Sequence, residues 1–145
     1  MKIVQEHQIL HIIYKDIHEI PKYIIDICNA YEGEMKQRVG FNFPMSFVKK
    51  TQPKSELLKY NTEYVIVYKK GDISTKKHEL QHAKFYMDTD YKKQVHALWH
   101  SFTDSYQKQI ILQLKKMHYP DNMDILMDEF QAYYFTEKSN FFGVR

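Results

Sequence analysis

The sequence predicts an α+β fold, with strands concentrated in its first half and helices in its second half. Apolar, β-branched runs at residues 8–14 and 62–68 are typical of strands. After residue 74 the apolar residues instead recur at helical spacing. The 145 residues are 43% hydrophobic, which is enough to bury one core. We therefore expect residues 1–145 to form a single domain, with a small, mostly antiparallel sheet, an N-terminal helix and three later helices.

A strand and a helix are predicted at the start of the chain. Residues 8–14 form the strand. Pro21 suits the first turn of a helix, and the apolar residues after it keep helical spacing as far as Tyr31. Gly33 follows and is expected to end this helix. The apolar side of the helix includes Cys28, which we expect to be a buried thiol.

A loop and a second strand come next. Residues 37–50 include Gly40 and Pro44, and we predict a loop here that leads into a short strand. Residues 62–68 are the clearest strand of the chain, and residues 69–72 predict the turn after it. This turn marks the change from strand to helix along the chain.

Three helices are predicted in the second half. The first carries residues 78–82 and takes its N-cap from the serine or threonine at residues 74–75. A long helix is expected over residues 91–117, and a last helix over residues 123–137. The tail at residues 140–145 contains two phenylalanines, so we expect it to pack against the protein.

Composition and charge narrow the range of partners and compartments. The formal charge is +3, and the lysine pairs are spread along the chain, so we do not expect a nucleic-acid partner. No apolar run approaches the ~18 residues that span a bilayer, and the N-terminus turns polar too early for a signal peptide. Cys28 is the single cysteine and excludes an internal disulfide. We therefore expect an intracellular, cytoplasmic protein without a membrane partner.

Residues 78–82 carry the most informative pattern, H-E-x-x-H. On a helix, His78 and His82 lie one above the other, so both imidazoles can reach one metal ion. Glu79 is adjacent, where its carboxylate can contact a metal-bound water rather than the metal. Two nitrogen ligands and one carboxylate base are the parts of a hydrolytic zinc site. The pattern therefore predicts a single zinc ion in each chain.

The identity of the third metal ligand is left open by the spacing. A catalytic zinc usually takes three protein ligands and leaves one position for water. Glu129 is one candidate, because the small Ala132 beside it permits close approach of another helix. His96 or His100 is a second candidate. Asp128 is a third, although a carboxylate near a ligand histidine more often accepts the other ring N–H.

The pattern His78-Glu79-x-x-His82, followed by Glu129-x-x-Ala132 on a downstream helix, resembles the gluzincin branch of zinc metallopeptidases. The resemblance covers about half the chain and implies a zincin-like domain in minimal, single-domain form. It implies that the two histidines and Glu129 hold zinc and that Glu79 is the general base for peptide-bond hydrolysis. The resemblance therefore predicts a zinc metallopeptidase, which is a hydrolase.

The same resemblance implies a peptide or protein substrate bound as an extended strand. In that family the strand before the metal-binding helix runs along the cleft and pairs with substrate. Alternation places every second residue of this strand on one face. The role of the family's oxyanion-stabilising tyrosine or histidine is left open. The candidates for supporting the ligands or contacting substrate are Asp128, Tyr133, Tyr134, Tyr64, Ile66 and Tyr68.

Two other interpretations remain open. Spartan/SprT-like proteases of DNA repair use H-E-x-x-H with a downstream histidine, and His96 resembles that ligand, although the glycine expected beside it is absent. The chain could instead be a non-catalytic zinc-binding domain. Retention of Glu79 disfavours that interpretation, because a purely structural site has no need of a base.

Overall fold

The computed structural model describes residues 1–34 and 38–145, and over these ranges it contains four β-strands and six α-helices. In the same part of the chain, no helix is both long enough and apolar enough to cross a membrane. The α+β prediction is confirmed. The strands are β1 (Lys2–Glu6), β2 (Ile9–Tyr14), β3 (Phe41–Pro44) and β4 (Tyr64–Lys69). The helices are α1 (Lys22–Glu32), α2 (Met45–Thr51), α3 (Ile73–Met87), α4 (Thr89–Ser101), α5 (Asp104–Lys116) and α6 (Met123–Thr136).

The four strands form one mixed sheet in the order β1-β2-β4-β3. β1 and β2 are antiparallel, as are β3 and β4, whereas β2 and β4 run parallel. Among the described strands, two of the three pairings are therefore antiparallel, and the parallel pair lies at the centre. The chain reaches β4 from β2 by way of α1, β3 and α2.

The hairpin between β1 and β2 is an element that the sequence patterns did not reveal. His7 and Gln8 form its turn, with φ angles of +51° and +65°. Positive φ at both central positions suits the twist of a two-residue hairpin, but asparagine and glycine are the residues that normally favour it. Because neither residue is present at this turn, β1 carries no local signal.

One face of the sheet carries the apolar core of the first half. Leu10 and Ile12 of β2 alternate onto this face together with Val65 and Val67 of β4, and all four are fully buried. Cys28 is buried as predicted, and burial raises the pKa of its thiol. The apolar residues of α1, α2 and β3 in the same cluster as these four strand residues are Ile24, Ile27, Cys28, Phe41, Phe43, Met45 and Val48.

Element boundaries in the first half follow the predicted signals except at residues 37–50. α1 follows Pro21 and ends at Gly33, whose φ is +82°. The predicted loop that leads into a short strand corresponds to residues 38–40 and β3, but α2 follows β3 directly and was not predicted, and residue 37 lies outside the described ranges. Pro44 precedes α2 as its N-cap, because a residue without an N–H is tolerated at a helix start and not in its interior.

Asp72 caps α3, rather than the predicted Ser74 or Thr75. Its carboxylate accepts hydrogen bonds from the Thr75 backbone N–H at 3.0 Å and from the Thr75 hydroxyl at 2.6 Å. These bonds hold the pKa of Asp72 below its usual value. The segment offers three residues of capping type in four positions, and propensity alone does not rank them.

The long helix predicted over residues 91–117 is two helices, α4 and α5. α4 ends before Phe102. Thr103 then caps α5 by accepting a hydrogen bond of 3.2 Å from the N–H of Tyr106. Threonine followed by an acidic residue is a helix-start signal, and the continuous apolar spacing across it concealed the break.

The chain divides into two compact units, Met1–Ala83 and Lys84–Arg145, and the division falls inside α3. The second unit has an aromatic core in which Trp99, Phe102 and Phe130 meet edge to face. Phe142 belongs to this core and is 2% exposed. The prediction that the C-terminal tail packs against the protein is therefore confirmed.

A buried histidine in β2 predicts a pH dependence of stability. His11 Nδ1 lies 3.0 Å from the Tyr68 hydroxyl. Burial lowers the pKa of His11 below its ordinary 6.5, with Glu6 opposing and Lys76 reinforcing the shift. The unfolded chain therefore binds a proton that the folded protein resists. This contribution to stability is present above pH 6.5 and is lost as the pH falls below it.

The unfolding free energy should decrease when the pH falls from about 7.5 to about 5, and we expect this decrease to be smaller in His11→Gln than in the wild type. Urea titration at each pH measures the unfolding free energy. The control is His7→Gln. Because His7 is exposed, this substitution should leave the pH dependence of the unfolding free energy as it is in the wild type. Equal losses in His11→Gln and the wild type would show that His11 does not contribute.

The aromatic core gives a second prediction, for two phenylalanines on α6. Phe130 is fully buried, whereas Phe135 is 49% exposed. Phe130→Ala leaves a cavity that the surrounding rings cannot fill, so the unfolding free energy should fall by about 3–5 kcal/mol. Urea unfolding of Phe135→Ala is the matched control and should show a much smaller loss. Similar losses in both variants would contradict the position of Phe130 at the centre of the core.

Candidate metal centre

His78 and His82 lie four residues apart on α3 and therefore on one face of this helix. Their Nε2 atoms are 3.3 Å apart, and the ring centroids are 4.9 Å apart. In a tetrahedral zinc site with Zn–N bonds of about 2.0–2.1 Å, two ligand nitrogens lie about 3.3 Å from each other. The two nitrogen atoms thus have the separation that a shared zinc ion requires.

Glu129 of α6 supplies a third donor atom. One ligand atom from each of His78, His82 and Glu129 lies within 4.8 Å of the other two. A metal site needs at least three His, Cys, Asp or Glu side chains at ligand spacing. Within the described ranges, these three residues form the group that meets this condition. His82 is 2% exposed and Glu129 is 6% exposed. Two imidazoles and one carboxylate are a donor set of catalytic zinc sites, so these residues fit the predicted zinc ion.

Glu79 follows His78 on α3 but is not a member of this donor group. It is 5% exposed, and its Oε2 accepts a hydrogen bond of 2.9 Å from the side-chain amide of Asn42 on β3. A buried carboxylate is costly unless hydrogen-bond donors compensate its charge. Asn42 is such a donor, so it holds the Glu79 carboxylate against the sheet.

The faces of α3 differ from the predicted division into a core side and a metal side. Ala83 is fully buried as expected, but Leu80 and Met87 are only partly buried. Glu79 and His82 are buried instead. The polar side of the helix is therefore as enclosed as its apolar side, which hydrophobic spacing does not predict.

Asn42 is a site residue that the sequence did not indicate. It is 2% exposed, and its Oδ1 accepts a hydrogen bond of 2.6 Å from the hydroxyl of Tyr64. Asn42 lies opposite Ile66 in the register of β3 and β4. The segment around it contains glycine and proline and was predicted as a loop that leads into a short strand, so no periodic pattern marked the asparagine.

The prediction that the strand beginning at Tyr64 pairs with substrate is wrong. β4 is an internal strand with β2 on one side and β3 on the other, and residues 64–67 are paired with a strand on both sides. Tyr64, Ile66 and Tyr68 are each 5% exposed or less. A substrate cannot reach this strand by edge addition, since edge addition requires a free strand edge.

β3 is the edge strand beside β4, and its outer edge is closed at two positions. The backbone N–H of Asn42 donates to Glu32 Oε1 at 2.8 Å, which means that it points away from β4. Glu32 also forms an ion pair with Arg38. Pro44 has no N–H to offer. Both features are typical of edge strands that do not pair with other chains.

The three α6 candidates beside Glu129 have partners within the second unit. Asp128 Oδ1 accepts a hydrogen bond of 3.2 Å from Gln131. The hydroxyl groups of Tyr133 and Tyr119 are 2.7 Å apart. Tyr134 packs against the aromatic core. These contacts are those of helix packing, and roles for the three residues in ligand support or substrate contact stay predictions.

The alternative third ligands lie on α4. His96 is not in the donor group, and its ring centroid is 6.1 Å from that of Phe85. His100 is exposed. The donor group therefore contains Glu129 and does not contain His96.

Comparisons with known proteins found no relative. No protein-family model matches the chain, no curated protein matches it, and no solved structure matches it.

The donor group predicts zinc binding that depends on α3 and α6. Purified wild type should hold a single zinc ion in each chain. Loss of a residue that only hydrogen-bonds to a metal ligand lowers metal affinity by ~10–100-fold. His82→Ala and Glu129→Ala each remove a ligand itself, so each should lower zinc affinity by at least this much. Zinc titration in competition with a chelator measures these affinities.

His96→Ala is the control for this prediction, because its ring lies outside the donor group. It should bind zinc as the wild type does. Loss of zinc in His96→Ala, together with retention in Glu129→Ala, would identify His96 as the third ligand.

Proposed function

We propose that the protein is a zinc metallopeptidase of the zincin-like, gluzincin type. The observation that carries the proposal is the donor group of His78, His82 and Glu129, with the buried carboxylate of Glu79 one residue from the first ligand. A structural zinc site fills all four positions with protein ligands, whereas a catalytic site leaves one position for water. Three donors and a separate carboxylate suit the catalytic arrangement.

The proposed mechanism assigns one task to each residue. His78, His82 and Glu129 would hold the zinc ion, which when bound supplies a Lewis acid and lowers the pKa of a coordinated water to near neutrality. Glu79 accepts the proton of the attacking water as general base. It then returns this proton to the nitrogen of the leaving amine as general acid.

The proposed substrate is a peptide or protein. A zinc-bound water with a carboxylate base is chemistry suited to amide hydrolysis. An extended substrate must bind away from β4, because residues 64–67 of this strand are paired on both edges. Asn42 and Pro44 also leave β3 without donors for a substrate strand at these positions. The proposed enzyme therefore recognises its substrate through side chains. It does not add the substrate as a strand beside β4.

Glu79→Gln tests catalysis separately from metal binding. We expect it to lower the rate of peptide hydrolysis by at least about 10²–10⁴-fold, because the amide cannot accept the proton of water. Its zinc content should equal that of the wild type. A library of internally quenched fluorogenic peptides provides the rates, and elemental analysis provides the zinc content.

Glu63→Gln makes the same chemical change at an exposed glutamate and should keep the wild-type rate. A wild type that binds zinc but cleaves none of the peptides would favour the non-catalytic zinc-binding domain. A Glu79→Gln variant as active as the wild type would exclude Glu79 as the base.

A further inference from the structure

Residues 40–42, at the start of β3, lie against the carboxylate proposed as general base. Asn42 Nδ2 donates to Glu79 Oε2 at 2.9 Å in a buried contact across 37 residues of sequence. On the other side, a Cβ atom added at Gly40 would lie 2.8 Å from Glu79 Oε1, nearer than side-chain carbons normally approach. Residues 40–42 therefore lie against both carboxylate oxygens, and the absence of a side chain at Gly40 makes room for one of them.

The orientation of the Asn42 amide is determined by its two partners. A carboxylate can only accept hydrogen bonds, so the NH₂ group must face Glu79. The amide oxygen then faces the Tyr64 hydroxyl, which donates to it at 2.6 Å. A flipped amide would place its oxygen against the carboxylate and lose both bonds. Tyr64 thus keeps Asn42 in the orientation that holds Glu79.

The backbone of Asn42 is held as well. Its N–H donates to Glu32 Oε1 at 2.8 Å, and Glu32 is paired with Arg38. Both side chains of this ion pair are about nine-tenths buried, at 13% and 11% exposed. Since the backbone and the amide of Asn42 both have fixed partners, the position of its Nδ2 is well defined.

We propose that Asn42, oriented by Tyr64, is the positioning residue for Glu79. The inference rests on the proposed role of Glu79 as general base. Asn42 holds Oε2, and this fixes the plane of the carboxylate and the direction in which Oε1 faces. A general base must lie within hydrogen-bond reach of the proton that it takes, so loss of this anchor misplaces the base without removing it.

Two tyrosines on β4 provide a matched test. Tyr64→Phe removes the hydroxyl that orients Asn42, whereas Tyr68→Phe removes a buried hydroxyl that contacts His11 instead. Both variants should lose some stability. Only Tyr64→Phe should lower kcat for an internally quenched peptide that the wild type cleaves, with KM and zinc content unchanged. Equal kcat values in the two variants would overturn the proposal.

Asn42→Leu tests the anchor itself. We expect kcat to fall by about 10–100-fold with KM and zinc content unchanged, as for other groups that orient a catalytic residue. The double variant Asn42→Leu/Tyr64→Phe also removes the hydroxyl that donates to the Asn42 amide oxygen, and it should regain part of the lost stability. Its kcat should stay low. Recovery of kcat together with stability would reduce Asn42 to a structural role and overturn the proposal.

A binding measurement separates this proposal from the peptidase proposal. Acetohydroxamic acid gives up a proton when it binds a metal, and a correctly placed Glu79 is the base that takes it. We expect Asn42→Leu and Glu79→Gln to weaken its binding to the cobalt(II)-loaded protein, followed by visible absorption.

Weakening in both variants, with no peptide cleaved by the wild type, would support the positioning role and contradict the peptidase. Weakening in Glu79→Gln alone would support the base and overturn the role of Asn42. A wild type that binds neither zinc nor cobalt overturns both proposals.

Discussion

The burial of the Glu79 carboxylate against the sheet is the constraint on which the arrangement of the site depends. A charge in this position requires a donor, and Asn42 provides it from β3. The contact fixes the rotation of α3 about its own axis. His78 and His82 lie one residue before and three residues after Glu79 on the same helix, so the rotation that turns Glu79 to the sheet also directs the two imidazoles.

The central strand β4 supports both the core and the site because its two faces differ in chemistry. Val65 and Val67 enter the apolar cluster with α1 and α2. Tyr64 and Tyr68 turn the other way, and each places a hydroxyl against a polar side chain, Asn42 and His11 respectively. Strand alternation thus places apolar packing on one side and hydrogen bonding on the other. An internal strand suits this task, because pairing on both edges holds its side chains in place.

Local patterns predicted those features that depend on neighbouring residues. The spacing of four residues placed His78 and His82 on one face of a helix. Glu129 was one of several candidates for the third ligand, and its place in the donor group comes from the structure. The patterns failed where two signals overlapped. Apolar spacing ran across Thr103, so the cap that separates α4 from α5 was overlooked. The zinc ion and the peptidase activity stay predictions.

The sequence by itself determined the helical spacing of the histidines, the apolar strands and most helix ends, because these depend on residues within one or two turns of each other. Only the tertiary structure decided that Asn42 meets Glu79 and that Tyr64 meets Asn42, across 37 and 22 residues. It also decided that β4 is internal, which depends on the strands that flank it. Contacts between distant residues follow from packing, and no local pattern encodes them.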